Sequence, residues 1–368
     1  MSKKSKISIS PNLIMYAAII IISIVVLSFM DANKFEYGGA ISLIEKSLVY
    51  AVVALSMNVV TGFTGLFSLG QAGFMAIGAY VTAILTIPVS ARPNVYYMNG
   101  ILPALENLTA PVPIAIIFGG LMAAAFAAII GFPVLRLKSD YLAIATLGFS
   151  EIIRAVIASP MMDKITNGSY GLKSIPTFSG SLECFIYSAI CIILMVLIIN
   201  SSSGRDFKAV REDEIAARSV GINIFKTKQI SFIVSSFFTG VGGGLLAMWM
   251  RSIESKTFQI TMTYEILLMV VIGGIGSITG SIVGAFFVTV GKEYLRIFDD
   301  TINFNGIVIH SPLFRAGFRM VIFSILLMVV VLFFRKGLMG GRELSLTGLS
   351  KMRKKKEINT TDVSGGEA

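Results

Sequence analysis

The chain has 368 residues, of which 55% are hydrophobic and 14% charged, with a mean hydropathy of +0.80; ordinary soluble domains carry about 25% charge. That balance excludes a water-soluble globule and predicts an all-α polytopic membrane protein of roughly eight to ten spans. The net charge of +10 does not signal nucleic acid, because most of the basic excess stands at the ends of apolar runs, where lipid topology accounts for it.

Apolar runs of spanning length cover residues 13–30, 47–60, 74–87, 113–134, 141–158, 182–199, 230–250 and 316–334, with a Gly-rich run at 265–290. The first follows Lys3, Lys4 and Lys6, is too long for a signal-peptide core and has no small-residue cleavage site after it, so an uncleaved anchor is expected. Glu45 and Lys46 precede the second run and are placed at the membrane interface. Glu151 and Arg154 stand three apart in the fifth run and are expected to neutralise one another. Cys184 and Cys191 fall on one face of one helix and cannot bridge. With a single histidine, His310, and no G-x-x-x-x-G-K-[ST], the sequence holds neither a Cys/His metal cluster nor a nucleotide cradle.

Lys and Arg accumulate at the N-terminus, between residues 204 and 229, and after residue 334, which predicts that all three are cytoplasmic. An even number of crossings follows. The eight runs satisfy it, so 265–290 must cross twice or dip and return as two short half-helices broken at Gly273, Gly274, Gly276 and Ser277. Residues 61–73, with Gly62, Gly65, Ser68, Gly70 and Gln71, have the same broken character. Val59-Val60-x-Gly62-x-x-Gly65 and Gly73 align at a constant offset with Val270-Val271-x-Gly273-x-x-Gly276 and Gly284, and paired Gly-interrupted segments point to a transport pathway. Gly240 and Gly242, Gly243 and Gly244 read instead as helix-packing glycines. Within 204–229, Glu214 and Arg218 are spaced for a helical pair, Ala216, Ala217 and Val220 form a small apolar face, and Gly221 stops the helix, so a short amphipathic helix is presented to the cytosol as connector or docking element.

Glu214 followed by Ala216-Ala217-x-x-x-Gly221 resembles the coupling loop by which ABC importer permeases dock onto their ATPases, with Ile215 intervening between acid and alanines. T-G-F-T-G-L-F-S-L-G-Q-A-G-F-M-A-I-G-A-Y from Thr61, L-R-L-K-S-D-Y-L-A-I-A-T-L-G-F-S-E-I-I-R from Leu135 and T-N-G-S-Y-G-L from Thr166 resemble the LivM-type permease of branched-chain amino acid importers, in order over residues 50–334. The resemblance implies an ABC importer permease bundle in a bacterial inner membrane. Its partners would be a second permease subunit, two ATP-binding subunits that hold ATP and Mg, and an external substrate-binding protein; this chain itself would hold no cofactor. Gly62, Gly65, Ser68, Gln71, Gly273, Gly274, Gly276 and Ser277 are then expected to line the translocation pathway. Arg211, Glu212, Asp213, Glu214, Ala216, Ala217 and Gly221 are expected to take up ATPase coupling, and Asn167, Gly168, Ser169 and Tyr170 to meet the binding protein. Residues 1–12 form a cytoplasmic segment, 13–334 the permease domain, and 335–368 a basic cytoplasmic tail without fixed structure that can attract anionic lipid. Alternatives are an ion-coupled secondary transporter working through Glu151, or the same importer type carrying urea, amides or sugars. No nucleophile, metal or acid/base constellation supports a membrane enzyme.

Overall fold

The structure is a computed structural model that describes residues 11–98, 100–137 and 139–295, together with 303–304, 307–308, 325, 328 and 337–339. Eleven helices carry the architecture: α1 (Pro11–Ala32), α2 (Lys34–Asn58), α3 (Gln71–Thr86), α4 (Val112–Val134), α5 (Ser139–Ile157), α6 (Ser181–Asn200), α7 (Ser202–Glu212), α8 (Glu214–Ser219), α9 (Ile224–Met250), α10 (Ile260–Gly273) and α11 (Ile278–Tyr294). Among the described residues, Lys34–Phe63, α4, α6 and α9 are long and apolar enough to cross a membrane. Two bent pairs, Gln71–Thr86 with Val89–Val95 (99°) and Tyr141–Ile157 with Pro160–Thr166 (59°), raise the number to six. Pro88 and Pro160 stand at these bends, where a missing N–H and a restricted preceding residue end the helices. His310 and, apart from Ile325 and Met328, the predicted run at 316–334 lie outside the described residues, as does the basic tail apart from residues 337–339, of which Leu338 and Met339 donate to carbonyls of α10.

The centre of the bundle is α9, packed against α4, α3 and α2. Its small residues permit this: a Cβ on Gly240 would meet Ala123 Cβ at 2.6 Å, one on Gly243 would strike the carbonyl of Met75, and one on Gly78 the carbonyl of Gly240. Backbones approach where side chains are absent, which is the packing role expected for this glycine run. On α6 the buried positions Ser181, Cys184, Ser188, Cys191, Met195 and Ile199 recur at helical spacing, so both cysteines sit on the inward face, and both are free.

Two boundaries correct the sequence reading. Helix α2 begins at Lys34, well before residue 47, so Glu45 and Lys46 lie inside it and do not precede it. The polar groups are tolerated because Glu45, Asp31, Lys34 and Arg251 share a cavity of about 360 Å³ and Lys46 stacks on Trp249, 5.2 Å from the ring centroid. The predicted 204–229 loop is mostly helical, with α9 starting at Ile224.

α9 runs from the end of the bundle that carries α7 and α8, here called the basic end, to the opposite end, where Leu172 and Ile253 bridge. A buried arginine organises that opposite end. Arg92, 2% exposed, donates to the carbonyls of Ile84, Ile87, Leu105, Glu106 and Leu108, tying the bend after α3 to the turn before α4. Arg92→Met would keep the stem but remove five hydrogen bonds, so a loss of about 3 kcal/mol or more is expected, read as a lowered midpoint in thermal unfolding followed by Trp249 fluorescence.

Candidate functional site

The two Gly-rich breaks meet at the basic end. In the first, α2 passes into a single π turn, Val59–Phe63, and then into extended chain up to Gln71. The hydroxyl of Thr64 donates to Val59 O at 3.0 Å and Leu66 N donates to Val60 O at 3.0 Å, so the frayed end is partly satisfied locally. In the second, α10 and α11 form a hairpin whose arms touch through Gly273 against the Gly280 carbonyl and Gly284 against that of Met269. The arms, 14 and 17 residues, are about 21 and 25 Å long, the paired short helices expected for 265–290. Lys292 donates to Glu265 at 2.5 Å, pairing the arms toward their open end.

The aligned glycines adopt matching backbones: Gly65 has φ +77° and Gly276 φ +84°. Both lie in the left-handed region, reached without the Cβ clash of other residues. Gly62 is buried and abuts the other break, because a Cβ there would overlap Asn58 Oδ1 and lie 2.5 Å from Gly276 N. The breaks are thus joined face to face.

Arg211, from the last turn of α7, fills the crevice between them. Its Nη1 donates to Gly62 O at 2.6 Å. A Cβ on Gly276 would come within 2.7 Å of the same nitrogen, and one on Gly65 within 3.2 Å of Arg211 Cγ. Lys208, one turn earlier, stacks over Phe63 at 5.6 Å. Helix α7 is held by Gly204, Phe207 and Val210 turned inward, so its opposite side faces out. Asp213 then caps α8, accepting from Ile215 N at 2.7 Å and Ala216 N at 3.0 Å. Gly221, φ +89°, ends the turn.

The predicted coupling residues form one surface, with two corrections. Glu214 pairs with Lys228 at 2.6 Å rather than with Arg218, because the turn at Gly221 folds the start of α9 back beside the six-residue α8. The expected apolar face is divided: Ala217 packs inward with Val210 and Ile224, whereas Ala216 stays exposed with Ile215 and Val220, which are 81% and 77% exposed. Arg211, Glu212 and Asp213 are exposed overall.

Of the residues expected to line a pathway, Gly62, Ser68, Gln71, Gly273, Gly274 and Ser277 are buried within this chain, and Gly65 and part of Gly276 remain accessible. Gln71 is built into a buried seam. Thr239 donates to its Oε1 at 2.6 Å, its Nε2 donates to Ser235 Oγ at 3.3 Å, and Ser235 donates to Ser56 O at 2.6 Å, joining α2, α3 and α9. The Thr61 hydroxyl, buried in the π turn, has no hydrogen-bond partner among the described residues. Glu151 and Arg154 are paired as expected, at 2.6 Å.

At the opposite end Asn167 is buried in the left-handed conformation, and its Nδ2 donates to Val95 O at 3.0 Å and Gly171 O at 2.8 Å. Gly168 is buried beside Asp163, leaving Ser169 and Tyr170 as the outward-facing part of that loop.

Asn58 was absent from the sequence-derived set, although it is fully buried and bonded to the second break. An uncharged amide in an apolar run, one turn before Gly62, was the available signal.

Comparison with known proteins places this arrangement. The family described as branched-chain amino acid transport system / permease component matches residues 39–331. The high-affinity branched-chain amino acid transport system permease protein LivM of Escherichia coli K12 is 33% identical over 296 residues, 71% of this chain and 65% of that protein, so the match leaves about a third of the relative uncovered. A probable branched-chain amino acid transport permease protein LivM of Methanocaldococcus jannaschii is 24% identical, covering 79% of this chain and 90% of its own length. The L-arabinose transport system permease protein AraH of E. coli is 27% identical over 179 residues, 47% of this chain and 53% of that one. No solved structure matches. The apolar helices and the family match together make the chain a multi-pass membrane protein that belongs to the branched-chain amino acid transport permease family.

Proposed function

We propose that the chain is the non-catalytic permease subunit of an ATP-driven importer for branched-chain or other hydrophobic amino acids, with its basic end in the cytosol and both termini on that side. A second permease subunit, two ATP-binding subunits that hold ATP and Mg, and a substrate-binding protein complete the machine. The exposed Ile215 and Val220, flanked by Glu212 and Asp213, offer the ATPase a docking ridge. Ser169 and Tyr170 at the opposite end are offered to the binding protein. The breaks suit a zwitterion with an apolar side chain, because backbone groups at the accessible Gly65 and Gly276 provide hydrogen bonds without a fixed carboxylate. The observation that carries the reading is Arg211, which reaches from the docking segment to Gly62 O between both breaks, so that a push on α7 and α8 has a physical route to the pathway.

Purification from native membranes with mass spectrometry of bound subunits, followed by uptake in liposomes, tests this. ATP-binding subunits should co-purify, and leucine uptake should require ATP inside. Glu151→Gln should leave ATP-driven uptake within about twofold, since its carboxylate is committed to Arg154 and a paired acid is a poor proton carrier. Recovery of the chain alone, with uptake driven by an ion gradient and abolished by Glu151→Gln, would reject the proposal. Uptake of arabinose in place of leucine would retain the importer and change its cargo.

A further inference from the structure

We infer that Asn58 is the positioning residue that joins the two breaks into one moving unit, so that displacement of the π turn by Arg211 is carried to the hairpin. The inference rests on the coupling role proposed for Arg211, and its structural half can be tested apart from that role.

Asn58 is the last residue of α2 and fully buried, yet the partners of its side-chain amide all lie across the interface in the other break. Its Oδ1 accepts from Gly276 N at 2.9 Å, and its Nδ2 donates to Ser277 O at 2.8 Å and Ser281 Oγ at 2.7 Å. Both amide protons and the carbonyl are therefore committed to a short stretch of the second break. The amide orientation follows from chemistry, because Gly276 N can only donate and Ser277 O can only accept. Ser277 also holds the start of α11, its Oγ accepting from Gly280 N at 3.0 Å, so the amide grips the hairpin where the second arm is nucleated.

The grip is also in line with Arg211. Gly62 lies one helical turn beyond Asn58 and lacks the Cβ that would displace Oδ1, while its own carbonyl receives Nη1 of Arg211. Gly276 lacks the Cβ that would displace the same guanidinium. A shift of α7 therefore pulls the π turn through a charge-assisted bond, and Asn58 passes the shift to residues 276–281. A purely local satisfaction of the α2 end would use carbonyls of α2 or the π turn, and the Asn58 side chain donates to neither in the structure.

Spin labels at Phe67 and Ile275, exposed positions in the two breaks, read the joint directly in the complex as purified with its bound subunits. The native cysteines are buried and stay unlabelled. The unmodified joint should give one narrow distance distribution. Asn58→Ala and Asn58→Leu should broaden it, and Ser281→Ala, which removes one of three bonds, should broaden it less. In liposomes supplied with radiolabelled leucine and ATP, Asn58→Ala should lower leucine transported per ATP by about tenfold while ATP hydrolysis persists within about twofold. If Asn58→Ala fails to assemble, Asn58→Asp and Ser281→Ala are judged on the same two readouts. Unchanged distance distributions would overturn the joint. Broadened distances with an unchanged leucine-to-ATP ratio would reduce Asn58 to packing and equally overturn the inference. Absence of ATP-driven uptake by the unmodified protein would instead reject the proposed function, with the label distances still deciding whether Asn58 joins the breaks.

Discussion

Arg211→Glu should abolish most ATP-driven uptake without dispersing the subunits. The native guanidinium makes a charge-assisted bond to Gly62 O of a kind worth about 1.5–3 kcal/mol, equivalent to roughly 10- to 150-fold in an equilibrium between coupled and uncoupled arrangements. A carboxylate at that point would face the same carbonyl, so attraction becomes repulsion. Arg211→Lys restores the charge but not the planar fork, and an intermediate loss is expected. Arg205→Glu supplies the control, since Arg205 makes the same charge change on the exposed side of α7, away from both breaks. The discriminating measurement is leucine transported per ATP hydrolysed in liposomes. A proportional fall of hydrolysis and transport in Arg211→Glu, or an equal effect of Arg205→Glu, would assign the residue to docking or to general surface charge.

The second large effect belongs to Gly62. Gly62→Ala places a methyl group where Asn58 Oδ1 sits and against Gly276 N, between a buried amide and a backbone group that cannot swing aside. Overpacking of this sort costs about 1–3 kcal/mol, and displacement of the Asn58 amide adds about 1–3 kcal/mol for each buried partner left unsatisfied. The chain should be recovered in low yield with a lowered unfolding midpoint. Gly221→Ala makes the contrast informative. Gly221 has a positive φ, +89°, which Gly62 does not, and a Cβ there meets nothing within 4 Å, so the expected cost is only the conformational one, about 1–2 kcal/mol. An effect of Gly62→Ala no larger than that of Gly221→Ala would mean that the close approach of the breaks does not set the requirement at Gly62.

The helices were legible because unbroken apolar runs of spanning length admit few alternatives in a chain with so little charge. Their ends were less so. Glu45 and Lys46 look like the border of a span, and α2 nevertheless runs through both because Arg251 and Trp249, remote in sequence, stand beside them. Gly62, Gly65, Gly273 and Gly276 could be recognised as breaks from composition, and their spacing hinted at a relation, but the contact between them depends on tertiary packing. Asn58 is a lone uncharged amide in an apolar run, a signal that names no partner, so its role emerged only with its partners. Gln71 shows the converse: a polar residue in a transport segment suggests a ligand, whereas Ser235 and Thr239 already occupy its amide.

One contact has a consequence for biosynthesis. The α10 carbonyls of Ile272 and Gly273 accept from Leu338 N at 2.7 Å and Met339 N at 3.2 Å, and Gly337, with φ +70°, fits against Gly274. These donors are translated long after the hairpin, and buried carbonyls left without a partner cost about 1–3 kcal/mol each. The hairpin therefore reaches its final stability only once the ribosome has delivered the chain beyond residue 339, which makes completion of the second break a late event in membrane insertion.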